Sequence, residues 1–142
     1  MFHITRKADY AIRGMVFLAD EPKDKVSLIR DISSVTDVSP ALSAKIFQHL
    51  NKIGLVRSYR GAGGGFQLAR PAKDISLLEI IEAVDGPIAM NRCIIEKGSC
   101  GRESYCSVHP VWKTIQQKMK IDLSRVSLQQ LAKKQRALVQ GS

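Results

Sequence analysis

The stretch DVSPALSAKIFQHLNKIGLVRSYRGAGGGFQLAR, residues 37–70, decides the fold. Ser39 is a helix N-cap, and Pro40 follows at the first helical position, where a missing N–H costs nothing. Leu42, Ile46, Leu50 and Ile53 recur at helical spacing and predict the buried stripe of this helix. Gly54 ends it, because a left-handed cap position favours a residue without a Cβ. Two short strands are expected over residues 55–59 and 65–69, joined by the tip Arg60-Gly61-Ala62-Gly63-Gly64.

Upstream, residues 5–19 place Ala8, Ala11, Ile12, Met15, Leu18 and Ala19 at helical spacing behind a Thr5 cap. Glu21-Pro22-Lys23-Asp24 breaks the chain, and Ser27 is expected to cap a short helix reaching about Ser33. Helix, short helix, capped helix and glycine-tipped hairpin, in that order, predict a winged helix-turn-helix: a mainly α chain with a small β-hairpin wing. Downstream, Ser76 and Glu79 form a capping box, with Ile75 and Ile80 as the hydrophobic staple around it. That helix stops at Gly86-Pro87. Pro110 then opens a helix to about Leu123, and Ser127 opens a last one over residues 128–139. The expected organisation is a DNA-binding domain over residues 1–86, a cysteine loop over 87–109, and a dimerisation helix with a C-terminal helix over 110–142.

The 142 residues carry a net charge of +9, with 44% hydrophobic and 25% charged side chains, which suits one small globular domain with an appendage. No window approaches a membrane span, and charges at Arg6, Lys7 and Asp9 argue against a secretion signal, so a cytoplasmic protein without membrane contact is expected. The charge is unevenly placed. Between Val38 and Lys73 stand Lys45, Lys52, Arg57, Arg60, Arg70 and Lys73, with no acid. A polyanion is the expected partner. Ser39, Ser43, Lys45, Gln48 and Lys52 are the residues of the capped helix expected to face double-stranded DNA, with Lys45 and Gln48 best suited to reach bases. In the wing, Arg57 and Arg60 flank a tip of Gly61, Gly63 and Gly64 slim enough for a narrow groove. A nucleotide-cradling loop is the weaker reading of this tip, which lacks the Gly-Lys-Ser/Thr ending and a following helix. No nucleophile–base pair or paired carboxylates stand out, so an enzyme is not expected.

The three cysteines of the chain fall within fourteen positions, as Cys93, Cys100 and Cys106, with His109 just after. Thiolates and an imidazole on one loop are ligands for iron–sulfur clusters and for zinc. A structural zinc site usually contains a tight Cys-x2-4-Cys knuckle, which is absent. A metal-free thiol switch near Lys97 or Arg102, and thiols without any role, are the other readings of the same residues. His109 could equally pack against Trp112 at the start of its helix.

Taken together, Thr5-Arg6-Lys7-Ala8-Asp9-Tyr10-Ala11, Gly54-Leu55-Val56, the glycine tip through Phe66, Ile80-Ile81-Glu82-Ala83-Val84-Asp85-Gly86 and the cysteine loop resemble the Rrf2 family of bacterial winged-helix regulators. That family includes an iron–sulfur cluster-assembly regulator and a nitric-oxide-sensing repressor. The resemblance implies a homodimer joined by the helix after the cysteine loop, a palindromic operator, and a two-iron two-sulfur or four-iron four-sulfur cluster that alters DNA affinity. Cys93, Cys100 and Cys106 match the family's ligand cysteines. His109 matches a histidine ligand of one branch, and Asp9 an acidic ligand supplied by the second subunit in another. The chain departs from the family in the six residues between Cys93 and Cys100, where five are common, and in Leu42 and Ala44, where some members carry tyrosine and acidic residues. A thiol- or zinc-dependent winged-helix regulator is the alternative, and a small iron–sulfur redox protein a more distant one.

Overall fold

The computed structural model describes residues 3–141. Helix α1, Arg6–Asp20, starts where the Thr5 side chain accepts from the Ala8 N–H. Helix α2, Ile29–Thr36, and helix α3, Pro40–Ile53, meet at a tight turn in which Asp37 adopts a left-handed conformation (φ 56°). Ser33 holds that turn by donating its hydroxyl to the Val38 carbonyl at 2.6 Å. The Ser39 side chain accepts from Leu42 N, Pro40 opens α3, and Gly54 closes it at φ 90°, as the sequence predicts. Strands β1, Val56–Tyr59, and β2, Gly65–Leu68, pair antiparallel with Val56 opposite Leu68 and Tyr59 opposite Gly65. A winged helix-turn-helix is the result.

Two expectations fail here. The inward row of α3 is Ser43, Ile46, Phe47 and Leu50, whereas Leu42 and Ile53 are 40% and 46% exposed. The helix is rotated by about one residue from the predicted stripe because Phe47, the largest fully buried side chain, takes the centre. Its ring packs on Phe66 of β2, with centroids 5.4 Å apart, and lies under α1 at Gly14. A Cβ on Gly14 would come within 2.6 Å of that ring, so the close crossing of α1 and α3 depends on this glycine. The second failure is Ser27, which does not cap α2; Leu28 occupies the cap position without a side-chain bond. Ser27 instead exchanges two backbone hydrogen bonds of 2.8 Å with Phe66, adding a third short edge to the wing. The backbone of Gly65 passes so close that a Cβ there would sit 2.0 Å from the Ser27 carbonyl oxygen.

A 3-10 turn, Ala72–Asp74, leads to α4, Leu77–Asp85, whose capping box between Ser76 and Glu79 is complete. Ile75 and Ile80 are fully buried on either side of it. A single helical turn, α5, Arg92–Ile95, sits inside the cysteine loop, where the sequence predicts none. Helix α6, His109–Ser124, follows, and α7, Leu128–Gln140, ends the chain behind a second capping box of Ser127 and Gln130. Helix α7 packs back on α1, with Leu128 and Ala132 buried and Arg136 paired to Asp20 at 2.6 Å. Leu77 N donates to Val126 O and Leu128 N to Ile75 O, both at 2.8 Å, so the starts of α4 and α7 are laced together. Among the described residues no helix is long and apolar enough to cross a membrane.

Candidate nucleic-acid interface and cysteine loop

Helix α3 presents Lys45, Gln48 and Lys52 to solvent, at intervals of three and then four positions, on the side away from Phe47. Ser39 is exposed at its N-terminus, where free N–H groups and the helix dipole favour a phosphate. Ser43 is a correction: it is 2% exposed, and its hydroxyl has no hydrogen-bond partner. The rotation that centres Phe47 carries Ser43 into the core and leaves Leu42 outside, so the apolar side chain of Leu42 takes the place at the surface expected for the hydroxyl.

Arg57 and Arg60 are both exposed, at the side and tip of the wing. Gly61 has φ 98°, and Gly64 N closes the tip by donating to Gly61 O at 2.9 Å. At Gly64 a Cβ would meet the Tyr59 carbonyl at 2.4 Å, while at Gly63 it would meet nothing. Between the wing and α3 lies a cleft of about 580 Å³, lined by Arg30, Gln48, Asn51, Tyr59 and Arg60 among others, and by no acidic side chain. Arg30, Asn51 and Tyr59 are the residues that the sequence does not point to. Each looks like an ordinary surface residue along the chain, and only the approach of the α2 start to the wing groups them. The volume and uncompensated positive charge suit a sugar–phosphate strand.

The cysteine loop is built from turns. Asn91 caps α5 by accepting from Arg92 N, and α5 carries Cys93, which is half-buried. Gly98 N donates to the Glu103 carboxylate at 2.9 Å, bridging the segment around the exposed Cys100. Cys106 is half-buried and its carbonyl accepts from His109 N at 3.3 Å, which places these two residues in one turn at the start of α6. The imidazole of His109 has its Nδ1 buried without a hydrogen-bond partner. Asp9 lies one turn from Arg13 on α1 and pairs with it at 2.8 Å. All three thiols are free.

In chemistry this donor set fits an iron–sulfur cluster: three free thiols on a turn-rich loop, and an orphaned imidazole nitrogen beside the third. A single chain does not gather them. Among the described residues no three His, Cys, Asp or Glu side chains are grouped so as to hold a metal ion. Cys106 and His109 share a turn through their backbone bond, and no third ligand completes a group with them.

Helix α6 is the other unfinished surface. None of its sixteen residues is buried, and Val111, Ile115 and Ile121 are between 38% and 49% exposed.

Residues 4–134 match the Rrf2 family, described as an iron-dependent transcriptional regulator. The HTH-type transcriptional regulator IscR of Xenorhabdus nematophila is 33% identical over 135 residues, covering 95% of this chain and 82% of that protein. The regulator of the same name from Escherichia coli O1:K1 is 32% identical, covering 95% and 83%. Among solved structures, CymR of Bacillus subtilis, described as its global cysteine regulator, superposes with a TM-score of 0.76 at 25% identity, covering 94% of this chain and 98% of that one.

Proposed function

The chain belongs to the Rrf2 family of transcriptional regulators, and from that premise we propose that it is a homodimeric DNA-binding regulator whose operator affinity is set by an iron–sulfur cluster. The observation that carries the cluster is the loop itself: three free thiols, with the partnerless Nδ1 of His109 beside the third. Cys93, Cys100 and Cys106 would hold the group as thiolates. The fourth position would fall to His109 or to Asp9 of the partner subunit. Such a cluster supplies a centre that oxidants, nitric oxide or iron shortage dismantle.

The residues of this chain supply the rest. Deprotonated thiolates held at fixed separations order a loop that the single chain leaves spread out. That loop leaves α4 and enters α6, the helix whose exposed Val111, Ile115 and Ile121 form the dimer seam in this reading. A palindromic operator presents its half-sites one DNA turn apart, about 34 Å, so both recognition helices bind only at one dimer geometry. Ordering the loop biases that geometry, and with it the DNA-bound population. The acid-free cleft between α3 and the wing, with Arg30 and Arg60 on its rim, is where the strand would run.

A metal-free thiol switch has two specific observations on its side. The thiols are not gathered in one chain, and the fold is shared with a global cysteine regulator at 25% identity. Anaerobic reconstitution separates the two. The cluster reading expects visible charge-transfer bands with matching iron and acid-labile sulfide, lost in the Cys93→Ala, Cys100→Ala and Cys106→Ala variants. A colourless protein whose DNA affinity responds only to thiol oxidation would sink it.

A further inference from the structure

We propose that His49 is a positioning residue for DNA recognition: through the Ala83 carbonyl it fixes the recognition helix against the last turn of α4, at the root of the cysteine loop. His49 Nε2 lies 2.8 Å from Ala83 O. A carbonyl can only accept, so the ring donates Nε2–H. This carbonyl is open because α4 stops at Gly86, whose φ of 81° and ψ of −175° turn the chain out of the helix. Inside a helix Ala83 O would accept from residue 87, but residue 87 is proline and has no N–H. The preceding amide, Gly86 N, is already committed to Glu82 O at 3.0 Å. Ala83 therefore ends α4 with an acceptor that the helix itself cannot satisfy, and the recognition helix satisfies it.

The position gives this bond leverage. His49 stands next to Gln48 and one turn after Lys45, the two side chains best placed to read bases, so a displacement of His49 displaces both. On the α4 side the neighbouring Glu82 carboxylate accepts from Ile88 N at 3.3 Å and pairs with Lys120 of α6 at 3.7 Å. Two consecutive residues, Glu82 and Ala83, thus join the recognition helix, the first residues of the cysteine loop and the dimer helix. A movement at the loop root reaches α3 through this hydrogen bond as well as through the packing of the two helices. The assignment rests on α3 and the wing being the DNA face.

The test uses the full chain and a duplex that the wild-type protein selects from a random pool, with a scrambled duplex as control. His49→Ala should weaken binding to the selected duplex about five- to tenfold, the net worth of one hydrogen bond. It should leave binding to the scrambled duplex close to wild type, because phosphate-driven binding does not need the register of α3, and should lower the thermal midpoint by only a few degrees, the cost of the same bond in the free fold. His49→Gln keeps an N–H donor and should recover most of the loss. Unchanged affinity in His49→Ala, equal loss on both duplexes, or no recovery in His49→Gln would each overturn the assignment. If the wild-type protein selects no duplex at all, the DNA reading itself falls, and this role falls with it.

Discussion

Gly65 and Gly63, two residues apart in the wing, carry opposite constraints. A methyl at Gly65 would drive into the Ser27 carbonyl at 2.0 Å, whereas at Gly63 it would point into open space. Gly65→Ala should cost about 3 kcal/mol in urea unfolding, as overpacking against backbone does, and Gly63→Ala should leave the midpoint unchanged. The same contrast holds on α3. Phe47→Ala should cost about 3–5 kcal/mol, the usual penalty for emptying an aromatic core site. Leu42→Ala should cost under about 1 kcal/mol, since Leu42 is 40% exposed. The residue spacing alone does not choose Phe47 over Leu42 as a core position, because 42, 46, 50 and 53 make an equally regular stripe. What decides between the two rotations is distant in sequence: the ring of Phe66 and the missing side chain of Gly14. The misplacement of Ser43 on the DNA face has the same origin.

Elements whose signals are local are legible. Thr5, Ser39, Ser76 and Ser127 cap the helices they are expected to cap, since a cap is decided by the three residues after it. Ser27 shows the limit, for its bridge to Phe66 is a pairing between residues far apart along the chain. Ser76→Ala should lower stability by about 1 kcal/mol. Burial pushes the Glu79 carboxyl up, but the Ser76 amide and the Arg70 guanidinium outweigh it and hold it below the usual glutamate value. A depressed carboxylate stabilises the fold above its unfolded pKa, and that contribution is lost as pH falls through the folded value. Glu79→Gln should therefore lower the thermal midpoint at neutral pH and make its decline toward acid shallower. In α6, Ile115→Glu places a charge in the proposed seam. Light scattering should report a monomer where the wild-type chain gives a dimer, and unchanged mass would remove α6 from the interface.

For the molecule as a whole, the charge distribution and the order of elements are readable along the chain. Six basic residues and no acid between Val38 and Lys73 fall largely on the helix and wing that the fold sets side by side. DNA binding should weaken steeply with salt, and Arg60→Ala should reduce the slope of log affinity against log salt by about one. The proposed sensor is legible only as a set of candidate donors, since a turn-built loop has no hydrophobic period to read. The lacing of Ser76 to Ser127 adds a different consequence. Residues 87–126 leave the body of the protein at one end of α4 and return at its other end, with α7 then held on α1. The segment is an excursion from a structure that is closed without it. A protease that nicks the exposed stretch around Cys100 should therefore leave two fragments that travel together on a native column and part only in denaturant. That outcome would mean that covalent continuity through the cysteines is not what holds the winged helix together.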